Sequence, residues 1–297
     1  MKVLVTGAAG FVGKWVLKIA SEEGYDVVGL DIQELGDHIY FDNNYFKYIK
    51  SSCQIDDLVK ILPEFEGVVH LAAIRPTGDF GINEYIKNIK LASDVIEACR
   101  LTSINNLVLI SSRSVYSNKD IPWKEEKLNI PLNLYGESKL AVDMLAEFYS
   151  EKYGMNIKSL RLAQVLGVGE KSGYLLNTFI NRAFKKETLK LFGKGKGERQ
   201  YIYVKDVAYA ILAALEHKNI KGIFNIGIEE TIKNSELGLI INRIFDNEGN
   251  LEQEINMPED INIYKMDITK AKDVLEWKPR FTFEEALKDI KKIMENK

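Results

Sequence analysis

Residues 2–31 read KVLVTGAAGFVGKWVLKIASEEGYDVVGLD, and the order of residue types in this stretch decides the fold. Lys2–Thr6 is a short β-branched run of the kind that forms a buried parallel strand. Gly7-Ala8-Ala9-Gly10-Phe11-Val12-Gly13 follows at once, then a helix-compatible stretch over residues 14–23. Gly24 supplies a helix stop, and residues 26–30 read as a second strand ending at Asp31. Strand, glycine-rich turn, helix and strand in that order make one βαβ unit. The glycines let the backbone approach a pyrophosphate, which the helix N-terminus stabilises through its free N–H groups and its dipole. An acidic residue about twenty positions further on suits the adenosine ribose hydroxyls and repels a 2′-phosphate. Asp31 stands there, so the stretch predicts NAD over NADP. Purely structural glycines would explain the turn alone, but not a strand, a helix and Asp31 arriving in sequence.

The 297 residues are 46% hydrophobic, enough to bury a sizeable core, and 28% charged with a net charge of −3. That balance predicts neither a nucleic-acid nor an anionic-membrane partner. Cys53 and Cys99 are too few for a disulfide scaffold or a zinc site, and are expected as reduced, packed thiols; no metal is predicted. The longest apolar runs, such as residues 107–110, fall far short of a membrane span. The chain begins directly with a strand and shows no signal-peptide layout, so a cytoplasmic location is expected.

Further along, residues 68–73 (VVHLAA) read as a buried strand running into a loop of small residues that permits close cofactor approach. His70 inside that apolar strand is read as a satisfied core residue and not as a base. Residues 83–100 read as a helix, with Ile89, Ala92, Ile96 and Cys99 on one face. Residues 107–110 form the next strand and deliver Ser111 and Ser112 at its C-terminal end, where open α/β sheets bind ligands. Tyr135-Gly136-Glu137-Ser138-Lys139 then opens a helix that runs to about Lys152. Residues at i and i+4 share a helix face, so Lys139 is placed to stabilise a Tyr135 phenolate. Such a tyrosine can take a proton from an alcohol near neutral pH. The spacing recurs at Tyr201 and Lys205, which is unremarkable among 14 tyrosines. There residues 201–204 alternate like a strand and Lys205-Asp206 reads as the cap of a following helix, so the second pair straddles an element boundary. In the Tyr135 helix, Lys139, Asp143, Glu147, Ser150 and Glu151 share a polar arc of about 120°. Apolar residues fill most of the rest, which is wider than one core-facing stripe and predicts a second buried face, here a homodimer contact.

Together these segments resemble the extended short-chain dehydrogenase/reductases, and within them the NAD-dependent sugar-nucleotide epimerase/dehydratase family. The resemblance runs through TGAAGFVG (residues 6–13), Asp31, HLAA (70–73), SSRSVY (111–116) and YGESK (135–139). It continues through RLAQVLG (161–167), GKGERQYIYVKD (195–206), FNIG (224–227) and DITKAKDVLEWKP (267–279). It implies a Rossmann-type, doubly wound parallel sheet with a smaller, discontinuous α/β substrate domain at the C-terminus. The division expected is residues 1–165 with 201–228 for NAD, and 166–200 with 229–297 for substrate. It further implies Ser112, Tyr135 and Lys139 as the catalytic set, Tyr135 being the base and Ser112 bonding the reacting oxygen. Gly7, Gly10, Phe11, Val12, Gly13, Asp31, Ile32, Leu71, Ala72, Ala73 and Asn88 would hold NAD together with Tyr135 and Lys139. Ser112, Gln164 and Arg199 would contact a nucleotide-sugar substrate, Arg199 at the diphosphate; the lesser alternative for Arg199 is a surface arginine in a basic loop with Lys194 and Lys196.

Departures from the family pattern narrow the reaction. Dehydratases and decarboxylases of the family carry an Asp-Glu pair or a Glu beside the catalytic Ser/Thr, where this chain has Arg113 and Ser114. Without a carboxylate there, removal of a proton beside a transient ketone lacks its base. The pattern is closer to the 4-epimerases, apart from Arg113. Gln164 replaces a substrate-contacting Asn, Met257 stands near where a second phosphate-binding Arg is common, and Ser52-Cys53 replaces the Asp-Ile/Val beside adenine. The expectation is an epimerase acting at C4 of a UDP- or dTDP-sugar, with residues 75–80 and 169–179 shaping specificity. A keto-sugar reductase or sugar dehydrogenase, and a non-catalytic NAD-binding protein, remain open from sequence.

Overall fold

The computed structural model describes residues 1–76, 78, 80–117, 119–127, 130–170 and 174–296. In chain order the first half runs β1 (Lys2–Thr6), α1 (Phe11–Glu22), β2 (Asp26–Asp31), β3 (His38–Phe41), β4 (Asn44–Lys50), α2 (Ile55–Ile61), β5 (Gly67–His70), α3 (Ile82–Leu101), β6 (Asn106–Ser112) and α4 (Leu134–Tyr153). The second half runs β7 (Asn156–Leu162), β8 (Gln164–Leu166), α5 (Leu175–Phe184), β9 (Leu189–Phe192), β10 (Glu198–Arg199), β11 (Tyr201–Tyr203), α6 (Val204–Glu216) and β12 (Gly222–Ile226). It ends with β13 (Ile232–Lys233), α7 (Asn234–Ile244), β14 (Leu251–Glu254), β15 (Ile263–Tyr264), α8 (Thr269–Val274) and α9 (Phe283–Glu295).

Among the described residues, eight strands form one sheet in the order β12-β7-β6-β5-β1-β2-β4-β3, parallel except for the antiparallel edge strand β3. The chain leaves β1 in one direction for β2 and β4, and returns on its other side as β5, β6 and β7. This is the Rossmann arrangement, with its switch point between β1 and β5. Alternate residues of each strand serve opposite faces: Val3, Val5, Val69 and Val108 pack with Trp15, Val16 and Ile211 on one side. Leu4, Val68, Leu107 and Leu109 pack with Leu58, Val95, Ile96 and Val142 on the other. That two-sided burial is why β1, β5 and β6 read as near-continuous apolar runs. Smaller sheets lie beyond this one: β10 pairs with β13 and β15, β11 with β8, and β14 with β9.

The element boundaries differ from expectation in three informative places. The first helix starts at Phe11, because Gly10 is already its N-cap in an extended conformation. Strand β5 stops at His70, so Leu71–Ala73 is wholly loop. Lys205 and Asp206 lie inside the first turn of α6, whose N-cap is Tyr203. Asp206 is buried there, accepting from the Arg280 and Phe281 backbone N–H groups at 2.8 and 3.3 Å; burial pushes its pKa up to about 6. Tyr201 and Lys205 do sit on different elements. Cys53 and Cys99 are free and buried. No described helix is long and apolar enough to cross a membrane.

Candidate active site

The glycine turn closes at the C-terminal end of β1, against the loop after β5. Gly7 adopts φ +68°, and a Cβ there would lie 2.6 Å from the Ala72 backbone nitrogen. A Cβ on Gly13 would lie 2.4 Å from the Gly7 carbonyl, so only glycine lets α1 press onto the turn. Gly10 is exposed, and its Cβ would meet only the Gly7 oxygen, at 3.1 Å. The outer side of the turn is therefore open, with the first amides of α1 (Phe11, Val12) beside it. Asp31 closes the far end of β2, where one carboxylate oxygen accepts from Ala9 N at 3.1 Å and the other from Ile32 N at 2.8 Å. The Asp31 carboxylate is thus held by main-chain amides, and Ile32 beside it is exposed. Ser51 donates its backbone N–H to the Asp31 carbonyl at 3.0 Å, and buried Cys53 follows.

His70 is buried, its Nδ1 2.8 Å from the Thr6 hydroxyl. That hydroxyl also accepts from Ala72 N at 3.4 Å, so Thr6 and His70 fasten the Leu71-Ala72-Ala73 loop beside the glycine turn. Burial drives the His70 pKa down to about 3, which keeps the ring neutral. Asn88 acts one residue further on, exchanging hydrogen bonds with the Ile74 backbone at 2.7 and 3.0 Å.

Ser112 and Tyr135 meet because of Gly136. A Cβ on Gly136 would fall 2.1 Å from the Ser114 carbonyl oxygen, so glycine alone allows the turn after β6 to pack on the start of α4. The helix is started by Asn133, whose side chain accepts from Gly136 N at 2.8 Å. Ser112 Oγ accepts from Ser114 N at 3.1 Å, which leaves its proton for the Tyr135 phenol. Lys139 Nζ lies 5.9 Å from the Tyr135 ring centroid and donates to the Ile110 carbonyl at 2.8 Å. Burial lowers the Lys139 pKa to about 8, against the pull of Asp143. Burial also raises the Tyr135 pKa above its ordinary value; the Arg75 charge and the Ser112 hydrogen bond oppose the rise, and Tyr174 adds to it. The lowering anticipated from Lys139 is thus not what governs the phenol in this arrangement, since the ammonium is turned to a carbonyl.

Sequence reasoning missed three features. Arg75 Nη1 donates to both carboxylate oxygens of Glu170, at 2.9 and 3.0 Å, joining the two loops expected to set specificity. (Thr77, Asp79 and residues 171–173 of those loops lie outside the described residues.) Second, the polar arc of α4 is split: Lys139, Asp143 and Ser150 are buried, while Glu147 and Glu151 are exposed. Asp143 accepts from Arg161 Nε at 2.8 Å and from Ser159 at 2.5 Å; Arg161 bonds the Tyr116 hydroxyl at 2.8 Å, which donates to Asn225 at 2.7 Å. Third, Arg113 and Arg199 both pack on the Tyr264 ring, at 4.3 and 5.4 Å from its centroid. Gln164 pairs in register with Tyr201 where β8 meets β11.

A turn that only glycine permits, a carboxylate fixed at the end of β2, and Ser112, Tyr135 and Lys139 gathered at the end of β6 make one constellation on a Rossmann sheet. Residues 3–227 match the model of the NAD dependent epimerase/dehydratase family. The chain belongs to that family. NAD is its cofactor, and the cradle described above fits it: the outer side of the turn is open, while Gly7 and Gly13 admit no side chain. The fold is shared with the crystal structure of UDP-N-acetylglucosamine 4-epimerase from Bacillus cereus, 33% identical, TM-score 0.90, covering 100% of this chain and 97% of that one. MoeE5, solved in complex with UDP-glucuronic acid and NAD, is 25% identical with a TM-score of 0.85, over 100% and 99% of the two chains. A UDP-glucuronate 4-epimerase of Thermodesulfobacterium geofontis is 28% identical over 96% of this chain and 93% of its own.

Proposed function

We propose that this member of the family is an epimerase of a nucleotide-diphosphate sugar, acting at C4 through a transient 4-keto intermediate. The observation that carries the reading is the meeting of Ser112 and Tyr135 over Lys139, with Arg113 and Ser114 in place of acid groups beside Ser112. Relatives described as 4-epimerases of UDP-sugars support it. Bound NAD supplies a reversible acceptor for the C4 hydride and, when oxidised, a positive charge. Ser112 donates to the C4 oxygen, and Tyr135 takes the hydroxyl proton as the C4 hydrogen leaves with its electron pair. That favours a lowered phenol pKa; Arg75 and Ser112 pull it down against the larger rise from burial. The ketone then presents its other face, the hydrogen returns to C4 with its electron pair, and Tyr135 returns the proton to the oxygen. Within this reading residues 1–165 with 201–228 hold NAD, and 166–200 with 229–297 hold the sugar nucleotide. Gln164 and Arg199 contact the substrate.

A homodimer is part of the proposal. Met144 and Phe148 on α4, with Ile82, Ile86 and Leu101 on α3, remain exposed on neighbouring helices, a face suited to a second copy. Two buried free thiols fit a reducing compartment such as the cytoplasm. The test is to incubate the purified protein with UDP-glucose, UDP-glucuronate and UDP-N-acetylglucosamine and follow the C4 epimers by NMR. Interconversion without net NADH formation supports the reading. Stoichiometric change in NADH, with no epimer, replaces it with a reductase or dehydrogenase.

A further inference from the structure

Arg113 and Arg199 share the Tyr264 ring but are not equivalent. Arg199 is neutralised where it stands: Nη1 donates to Asn234 at 2.8 Å and Nη2 to Asp260 at 2.8 Å. Asp260 is saturated, since it also accepts from the Tyr264 hydroxyl at 2.8 Å and from Asn262 at 2.7 and 3.0 Å. Arg113, by contrast, makes no ion pair and no side-chain hydrogen bond among the described residues; its guanidinium has only the ring face of Tyr264. Burial lowers its pKa, and the charge of Arg199 adds to that against the pull of Tyr264. An enclosed cation beside another cation is unfavourable unless an anion joins them. A third donor stands with them. The Tyr201 hydroxyl is buried without a hydrogen-bond partner, close enough to both guanidinium groups that their charges oppose the rise burial gives its pKa.

We infer that Arg113 is the second arginine of a diphosphate clamp, acting with Arg199 and the Tyr201 hydroxyl, and that it makes good the arginine missing at Met257. The inference rests on the nucleotide-sugar reading above. Arg113, Arg199 and Asp260 together carry one net positive charge, and Met257 lies exposed on the surface. A diphosphate, present in every substrate of the class, can take all three donors, and Arg113 is the guanidinium that no carboxylate among the described residues pairs with directly. A carboxylate on the sugar would add a further negative charge where only one positive charge is free. Arg113 also follows Ser112 directly, so the clamp is built onto the same turn that presents the catalytic hydroxyl.

The test is calorimetric binding of UDP, dTDP, UDP-glucuronate and uridine to the NAD-loaded protein. Arg113→Gln should weaken diphosphate binding roughly 10- to 100-fold and leave uridine unaffected. Tyr201→Phe should weaken it by roughly three- to tenfold. In turnover, KM should rise far more than kcat falls. Retained NAD and an unchanged unfolding transition certify the fold. If Arg113→Gln does not fold, Arg113→Lys decides, because lysine cannot reproduce a two-pronged contact and should lose roughly fivefold or more. Diphosphate binding within about twofold of wild type in these Arg113 variants overturns the clamp, and a loss confined to UDP-glucuronate assigns Arg113 to the sugar instead. A wild type that binds neither diphosphate also overturns it. Arg113-dependent UDP binding without epimerisation of any UDP-sugar refutes the reaction and leaves the clamp standing.

Discussion

The two ends of the proposed site are built on different principles. The cofactor end is shaped by backbone: Gly7 and Gly13 are required because any Cβ would strike main-chain atoms, and Asp31 is fixed by main-chain amides. The end proposed for the nucleotide sugar is shaped by side chains from distant segments, Arg113, Arg199, Tyr201 and Tyr264, held by one another's charges and rings. A backbone cradle is all-or-none, whereas a side-chain cluster should lose function in graded steps. The comparison is open to attack from both ends.

The largest expected effect is at the backbone end. Gly13→Val should abolish NAD retention, because its side chain meets a carbonyl at 2.4 Å; extraction of cofactor from the purified protein measures it. Between the two ends, Tyr135→Phe should lower kcat roughly 100- to 10,000-fold with NAD retained, read by the NMR epimer assay. Gly136→Ala should approach that loss while Tyr135 remains, since the 2.1 Å approach to Ser114 must open and part Ser112 from the phenol. Loss of NAD in Tyr135→Phe, or full activity in Gly136→Ala, would break the distinction drawn between holding and reacting.

Smaller effects concern stability. His70 stays neutral in the folded protein to about pH 3, whereas the unfolded chain binds that proton near its ordinary value of 6.5. The unfolded state therefore holds the extra proton between those values, and stability falls as pH drops through that window, by up to about 1.4 kcal/mol per unit. Denaturant midpoints at several pH values should show a shallower slope for His70→Gln than for wild type. Asn133→Ala removes the cap of α4 and should lower stability by about 1 kcal/mol, a few degrees in Tm by calorimetry.

The same contrast explains what could be read in the sequence. The βαβ unit, the Ser112 strand and the Tyr135 helix were legible because glycine spacing and apolar runs are local signals. Gly136 stood inside the quoted motif, yet its reason, a carbonyl of residue 114, is visible only once strand and helix meet. A helical wheel puts Asp143 in a polar arc, but it cannot show that Arg161 arrives from β7 to meet it. Arg75 and Glu170 are 95 residues apart and no pattern links them. Arg113 looked anomalous by comparison with carboxylates at its position, and only its contact with Tyr264 suggests what it serves.

The buried bond between Asp143 and Arg161 has a consequence for anyone wishing to move this chemistry elsewhere. It lies one turn beyond Lys139 on the helix that carries Tyr135, and continues through Tyr116 to Asn225 on β12. A helix sliding or rotating by one residue would strand a carboxylate in a dry interior, at a penalty of several kcal/mol. The helix is thereby indexed to the sheet like a key to its wards. A transplanted Tyr-x-x-x-Lys helix would need Asp143, Arg161 and Tyr116 grafted with it, or the phenol would arrive at the wrong depth.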